Sequence, residues 1–266
     1  MVEFIKQNTT FLNNHVINCI YPLYLKVTMP STETNIELSV VVLCYQAENI
    51  IERFTAQLLQ EITQLNISFE LILVANYDKG TTDNTITLAK KIAQQHNNIK
   101  VLDKEKEGGM GWDMRSGLSA ASGKYIAVID GDAQMPASDI PIVYGVIKFG
   151  NYDLVKTYRA KRYDGFIRTF LSDSYNLVFK LLYAPRFPIR DINSKPKIFT
   201  KDAYKKMHLN SNDWFTDAEI MIQALKLNLK IAEISTMFYK NERNASFVGF
   251  KTVFEFVFNL FKYRFK

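Results

Sequence analysis

The sequence predicts an α/β fold: an open, mostly parallel sheet with helices on its faces and an amphipathic helix at the C-terminus. Three features carry that expectation. Strand-like and helix-like segments alternate through the first half of the chain. The strand-like segments are continuous apolar, β-branched runs, the pattern of strands buried on both faces. Three of these runs end in polar clusters, Tyr45 to Glu48, Asn76 to Asp83 and Asp130 to Gln134. Ligands of parallel sheets gather beyond the carboxyl ends of the strands, so the clusters are expected to converge on one crevice.

Taken in order, Glu37 to Cys44 (ELSVVVLC) reads as the first strand. Ala47 to Thr63 carries Ile50, Ile51, Phe54, Leu58, Leu59 and Ile62 at helical spacing. Phe69 to Ala75 (FELILVA) is a second buried strand, and a helix runs from Asp83 through Ala93 with Asp and Thr residues as caps. Ile99 to Leu102 is a short third strand, and Met110 to Ala121 a helix after the Gly108-Gly109 pair. Tyr125 to Ile129 and Ser138 to Phe149 give the next strand and helix. The second half is less regular. It offers an amphipathic helix from Phe166 to Tyr183, the polar and basic stretch RFPIRDINSKPK (Arg186 to Lys197), a helix from Thr216 to Leu227 and a short strand from Lys230 to Ile234. No repeat or low-complexity linker appears, which reads as one domain over residues 36–246, between an N-terminal extension (1–35) and a tail (247–266). The core pattern starts only after Met29, so residues 1–28 read as an appended helix or an upstream misassigned start; their apolar patches are too short and polar to span a bilayer.

At 266 residues, with ordinary apolar content, the chain suits one large domain. A formal charge of +6 suggests an anionic partner, but no basic run of the nucleic-acid type is present, so nucleic acid is not expected. Cys19 and Cys44 form no C-x-x-C pair, which favours a reduced, cytosolic compartment. His15, His96 and His208 have no metal-ligand spacing.

The chemistry begins at GKYIAVIDGDAQMPASDIP (Gly123 to Pro141). A buried strand ends there in Asp130 and Asp132, and carboxylates that close repel each other unless a cation sits between them. Hard divalent cations such as Mg²⁺ are held by one or two carboxylates plus substrate phosphates. Gly131 is expected to let the backbone bend so that both acids face one site, with the Gln134 carbonyl as a further donor.

The order SVVVLCYQAEN, LVANYDKGTTDNT, GMGWDMRSGLSAASGKYIAVIDGDAQMP resembles the inverting glycosyltransferases of family 2, and within them the dolichol-phosphate mannosyltransferase (polyprenyl-phosphate glycosyltransferase) group. The resemblance covers roughly residues 36 to 247. It implies a GT-A fold, Rossmann-like, with a mostly parallel mixed sheet. It places Tyr45 and Glu48 by the nucleotide's base and ribose, Asp78 at the base edge and Arg115 beside the nucleotide. Asp130, Asp132 and Gln134 match the D-x-D-x-Q pattern for a Mg²⁺ or Mn²⁺ ion and the donor diphosphate. Arg159, with Arg168 as a second, falls where the group meets the acceptor phosphate. Asp191 matches the acid of the R-D-x-x-S segment near the reaction centre, and Arg243 the loop arginine that reaches the donor phosphates. Leu43, Ala47 and the Asn76-Tyr77-Asp78-Lys79-Gly80 loop depart from the family pattern, which leaves the base open between guanine and uracil.

The first expectation is therefore metal-dependent, inverting transfer of a hexose to a polyprenyl phosphate at the cytoplasmic membrane face. GDP-mannose is the first donor and UDP-glucose or another UDP-sugar the next. A phosphate acceptor needs no strong base, so Asp191 and Asp217 become positioning groups; a sugar-hydroxyl acceptor, the second expectation, would require one of them to take a proton. A silent nucleotide-sugar-binding or scaffold protein is the third. Asp217 and Glu219 read equally as helix caps, Lys195 and Lys197 as surface charges, and Trp112 as packing. The tail FVGFKTVFEFVFNLFKYRFK sets Phe247, Phe250, Phe254, Phe258 and Phe261 along one face among basic residues. That suits either peripheral contact with the inner face of the membrane or packing on the domain or on a second subunit.

Overall fold

The computed structural model describes residues 36–163, 165–183, 189–240 and 258–264. The first half follows the expected alternation: β1 (Leu38–Leu43), α1 (Ile51–Thr63), β2 (Phe69–Val74), α2 (Thr85–Gln95), β3 (Ile99–Leu102), α3 (Met110–Ala120), β4 (Tyr125–Asp130) and α4 (Asp139–Gly150). Then come β5 (Leu154–Arg162), α5 (Phe166–Tyr183), β6 (Lys197–Thr200), α6 (Lys201–Lys205), α7 (Thr216–Lys226) and β7 (Ile231–Phe238). Residues 258–264 are helical.

The strands form one seven-stranded sheet in the order β3-β2-β1-β4-β6-β5-β7. β1 pairs in parallel with β2 on one side and β4 on the other, so the strand order reverses between β1 and β4. β6 runs antiparallel to both β4 and β5, while β5 and β7 are parallel, which makes the sheet mixed as expected.

Alternation along β1 divides the core. Val40 and Val42 join Phe54, Leu58 and Ile62 of α1 and Ile140 and Val143 of α4 on one face. Val41 and Leu43 join Met114 and Leu118 of α3, Phe179 of α5 and Ile220 of α7 on the other. Gly117 lets α3 lie close on that second face: a Cβ there would stand 2.3 Å from Val41 Cγ1.

The sequence reading missed β5 and β6 and cut β7 short at Ile234. β5, LVKTYRAKR, is apolar only at its start, and its inward positions include Lys156 and Thr157, both fully buried. Apolar patterning cannot mark a strand whose inner face carries an ammonium group.

Glu70 fastens the edge opposite the crevice. Its Oε1 accepts hydrogen bonds from Ser39 Oγ (2.6 Å), Ser122 N (2.8 Å) and Ser122 Oγ (2.6 Å), and Oε2 pairs with Lys100 Nζ at 2.6 Å. Burial raises its pKa, but Lys100 and the hydrogen bonds from Ser122 and Ser39 outweigh burial and hold the carboxyl at about 2. A carboxyl depressed below its unfolded value of about 4.3 stabilises the fold above that pH and loses the contribution as pH falls towards 2, here about 2–3 kcal/mol. The stability deficit of Glu70→Gln, measured by urea unfolding, is therefore expected to be full at neutral pH and to shrink between about pH 5 and pH 2.

Candidate active site

β1 and β4 end level with one another, Leu43 opposite Asp130, and the acidic loop leaves from that rim. Gly131 N donates to Leu43 O at 2.9 Å, and a Cβ at Gly131 would lie 2.9 Å from the same oxygen. Gly131 therefore serves close approach rather than the bend expected of it. The left-handed residue is Ala133, at φ 55°, and Asp132 Oδ1 closes the turn by accepting from Gln134 N at 3.1 Å. Gln134 Nε2 donates to Tyr239 O (2.9 Å), and Tyr239 N donates to Gln134 O (2.8 Å). The acidic loop is thus stitched to the residue just beyond β7. Arg243, four residues further on, lies outside the described residues.

Lys195 and Lys197 are not surface charges: both are buried, as is Asp217 at the start of α7. Lys195 Nζ stands 3.3 Å from Asp130 Oδ2 and 3.0 Å from Asp217 Oδ2; Lys197 Nζ stands 2.5 Å from Asp217 Oδ1. β6 lies against β4, with Lys197 opposite Val128, and that pairing carries the two ammonium groups under the acidic rim. Burial raises the Asp217 carboxyl, but the two lysines outweigh it and hold the group below the usual range. Burial likewise works against the Lys195 ammonium, and Asp130 and Asp217 together hold its pKa above normal. Asp217 is therefore a buried counter-ion and not a helix cap; Phe215 takes the capping position without a side-chain bond. Glu219 accepts from Asn210 N (3.0 Å) and Ser211 N (2.9 Å), a structural role.

A second charged cluster forms at β5. Arg159 grips Asp191 with Nε to Oδ2 at 2.6 Å and Nη2 to Oδ1 at 2.8 Å, the bidentate geometry that guanidinium favours. Burial opposes ionisation of Asp191, yet Arg159 and then Lys156 hold its carboxyl far below the usual range. Lys156 was not singled out by the sequence. Its ammonium donates to Thr157 O (2.6 Å), Glu233 Oε1 (3.0 Å) and the Asp191 carbonyl. Arg159 Nη2 also donates to Ser172 of α5 at 3.2 Å, while Arg168 lies half-buried one turn earlier on that helix. Five residues, Asp191 to Lys195, span the two clusters, and Thr157 Oγ1 anchors the link by donating to Lys195 O at 2.6 Å.

On the other flank, Tyr45 and Asp78 come together as expected. Tyr45 Oη donates to Asp78 Oδ2 at 2.5 Å, and burial together with Asp78 pushes the phenol up to about 12. Lys106 Nζ lies 4.0 Å from the Tyr45 ring centroid and 2.5 Å from Asp113 Oδ2. Two other residues are committed elsewhere. Glu48 accepts from Asn84 N at 2.9 Å, just before α2, and Arg115 Nε donates to Ser211 O at 3.1 Å.

The donor set fits a hard divalent ion. Asp130 and Asp132 offer carboxylate oxygens, and among the described residues no group of three or more His, Cys, Asp or Glu side chains could hold a metal by itself. Two acids with room for substrate oxygens is how Mg²⁺ and Mn²⁺ are commonly bound.

Comparison with known proteins identifies the family and the fold. The sequence profile of glycosyl transferase family 2 matches residues 39–215. The dodecaprenyl-phosphate galacturonate synthase of Rhizobium johnstonii is 24% identical over 228 residues, which cover 85% of this chain and 66% of that protein. The dolichyl-phosphate beta-glucosyltransferase of Drosophila melanogaster is 26% identical over 264 residues, 86% of this chain and 74% of that protein. Among solved structures, glucosyl-3-phosphoglycerate synthase of Mycobacterium tuberculosis, crystallised with Mn²⁺, UDP and phosphoglyceric acid, superposes with a TM-score of 0.67 at 17% identity, covering 89% of this chain and 84% of that one.

Removing one member of a buried ion cluster leaves the others uncompensated. Asp217→Asn is expected to cost about 3–5 kcal/mol in chemical unfolding. The Asp217→Asn/Lys197→Met pair should recover part of that loss, and additive costs would contradict the coupling.

Proposed function

We propose, for a chain that belongs to glycosyl transferase family 2, inverting transfer of a hexose from a UDP-sugar to a polyprenyl phosphate. The observation that carries the acceptor class is the state of Asp191 and Asp217, the two acids that a hydroxyl acceptor would call on as a base. Asp191 is clamped by Arg159, and Asp217 by Lys195 and Lys197. Both are held ionised well below the range a general base needs. Asp139, which burial pushes up to about 7, is enclosed and accepts from Thr236 Oγ1 at 2.5 Å. A sugar hydroxyl would need a proton acceptor. A phosphate monoester, with a second pKa of about 6, arrives as its own nucleophile. The two relatives named for dodecaprenyl and dolichyl phosphate support the same choice.

Asp78, oriented by Tyr45 at 2.5 Å, is the group we assign to accept from the imide N–H of uracil. Mannose has no counterpart among the relatives above, whose sugars are glucose and galacturonate, so glucose is the donor sugar we assign.

Asp130 and Asp132 would hold the divalent ion, with Gln134 bracing their loop against Tyr239. The ion, when bound, neutralises charge developing on the leaving diphosphate. Lys195 keeps the Asp130 carboxylate at the rim. Arg159, oriented by Asp191, faces the acceptor phosphate, and Arg243 meets the donor phosphates. An oxygen of the acceptor phosphate forms the new bond to the anomeric carbon. The bond to the donor diphosphate breaks on the opposite side, and its electron pair leaves with UDP. No proton is transferred.

Incubation with Mn²⁺ or Mg²⁺, UDP- and GDP-sugars and a short polyprenyl phosphate should give a β-glucosyl phospholipid by mass spectrometry. Asp132→Ala is expected to lower turnover about 100- to 1,000-fold, the usual loss when charge stabilisation at a leaving group is removed. Product formed only with a glycan acceptor would overturn the proposal.

A further inference from the structure

We infer that the outer face of α5, continued by helical residues 258–264, is the surface by which this chain lies on an anionic lipid bilayer. Phe166, Phe170, Leu177 and Leu181 are 84%, 63%, 58% and 68% exposed. Their spacing of four, seven and four residues sets them on one stripe of the helix, about 22 Å long at 1.5 Å per residue. Single exposed apolar residues are ordinary, but four large ones along one helix face, interrupted only by Asp173, mark a contact surface.

The C-terminal segment extends the stripe. Tyr183 Oη, at the end of α5, donates to Leu260 O at 2.6 Å. Leu260 is buried in the core, and Tyr263 packs against Phe215 with ring centroids 5.4 Å apart. Phe258 and Phe261 remain 67% and 44% exposed. One side of residues 258–264 therefore packs on the domain, as one expectation for the tail has it, and the other joins the exposed apolar surface; Phe247, Phe250 and Phe254 lie outside the described residues.

Charge chooses the occupant. Exposed Lys180, Arg190, Lys262 and Arg264 flank the apolar residues, with Asp173 the one acid on the α5 face among the described residues. Lys180 and Arg190 line a depression of about 360 Å³ with Asn176, Leu177 and Ile189, so two cations and two apolar side chains share one depression. A phosphate headgroup above acyl chains matches that arrangement. A second copy of a chain with net charge +6 would be repelled where an anionic bilayer is attracted. Arg190 directly precedes Asp191 in the chain, and Arg159 donates to Ser172 of α5, which sets α5 next to the acceptor cluster. The proposed lipid-phosphate acceptor gives the surface its purpose, although the test of binding does not depend on that reading.

The test is co-sedimentation of the full chain with phosphatidylcholine vesicles, with and without phosphatidylglycerol. Wild type should bind the anionic vesicles, and binding should weaken with salt. Phe170→Ser/Leu181→Ser should reduce the partition coefficient more than about tenfold, the direction and scale of removing two large side chains from an apolar phase. Lys180→Gln should weaken binding only to vesicles containing phosphatidylglycerol. The double variant should keep its melting temperature and its turnover of a water-soluble short-chain polyprenyl phosphate. Equal partition of wild type and the double variant would overturn the inference. So would a wild-type dimer that the double variant dissociates, which would assign the face to a second copy. Vesicle binding without any turnover of the short-chain acceptor would refute the proposed function and leave the docking surface standing.

Discussion

Compensation of negative charge at the β1–β4 rim is the constraint around which the site is arranged. Asp130 and Asp132 end β4, and Asp217 approaches from α7. Lys195 stands between Asp130 and Asp217, and Lys197 lies behind them. Burying these ions is costly, and their hydrogen bonds offset the cost only in this geometry. That geometry needs β6 antiparallel to β4, because this pairing brings the 195–197 stretch under the rim. The mixed character of the sheet and the electrostatics of the site are one feature.

The same arrangement decides which chemistry the site can support. The segment from Asp191 to Lys195 runs between an Arg159-clamped carboxylate and the ammonium that meets Asp130. Its ends are pinned by Lys156, Glu233 and Thr157. Asp191, Asp130 and Asp217 each meet a cation, the arrangement of a site that orients charges. A nucleophile that is already anionic suits such a site. A face of exposed Phe and Leu beside it suits a nucleophile carried on a lipid.

The parts of the fold legible in the sequence were those whose burial is mostly apolar. β1, β2 and β4 are apolar runs broken only by Ser39 and Glu70 near the strand starts, and the position of Asp130 at the end of one was enough to locate the rim. α5 was found with its bounds because its amphipathic spacing is strong, though the spacing did not reveal that much of its apolar face stays exposed. Buried cations were invisible. Lys156, Lys195 and Lys197 look like surface residues until their partners are known, and those partners lie 20 to 77 positions away in the chain. A lysine-rich stretch followed by a strand with an ammonium inside, as in β6 and β5, defeats apolar patterning for the same reason. The left-handed turn at Ala133 was likewise hidden, since alanine carries no signature of a positive φ.

The most direct test of the claim that the acceptor supplies its own charge is the pH dependence of kcat/KM, compared between a polyprenyl phosphate and its phosphonate analogue of higher second pKa. The acidic limb is expected to follow the acceptor and move to higher pH with the phosphonate. A limb that stays at the same pH for both acceptors would place the essential ionisation on the protein and contradict the account.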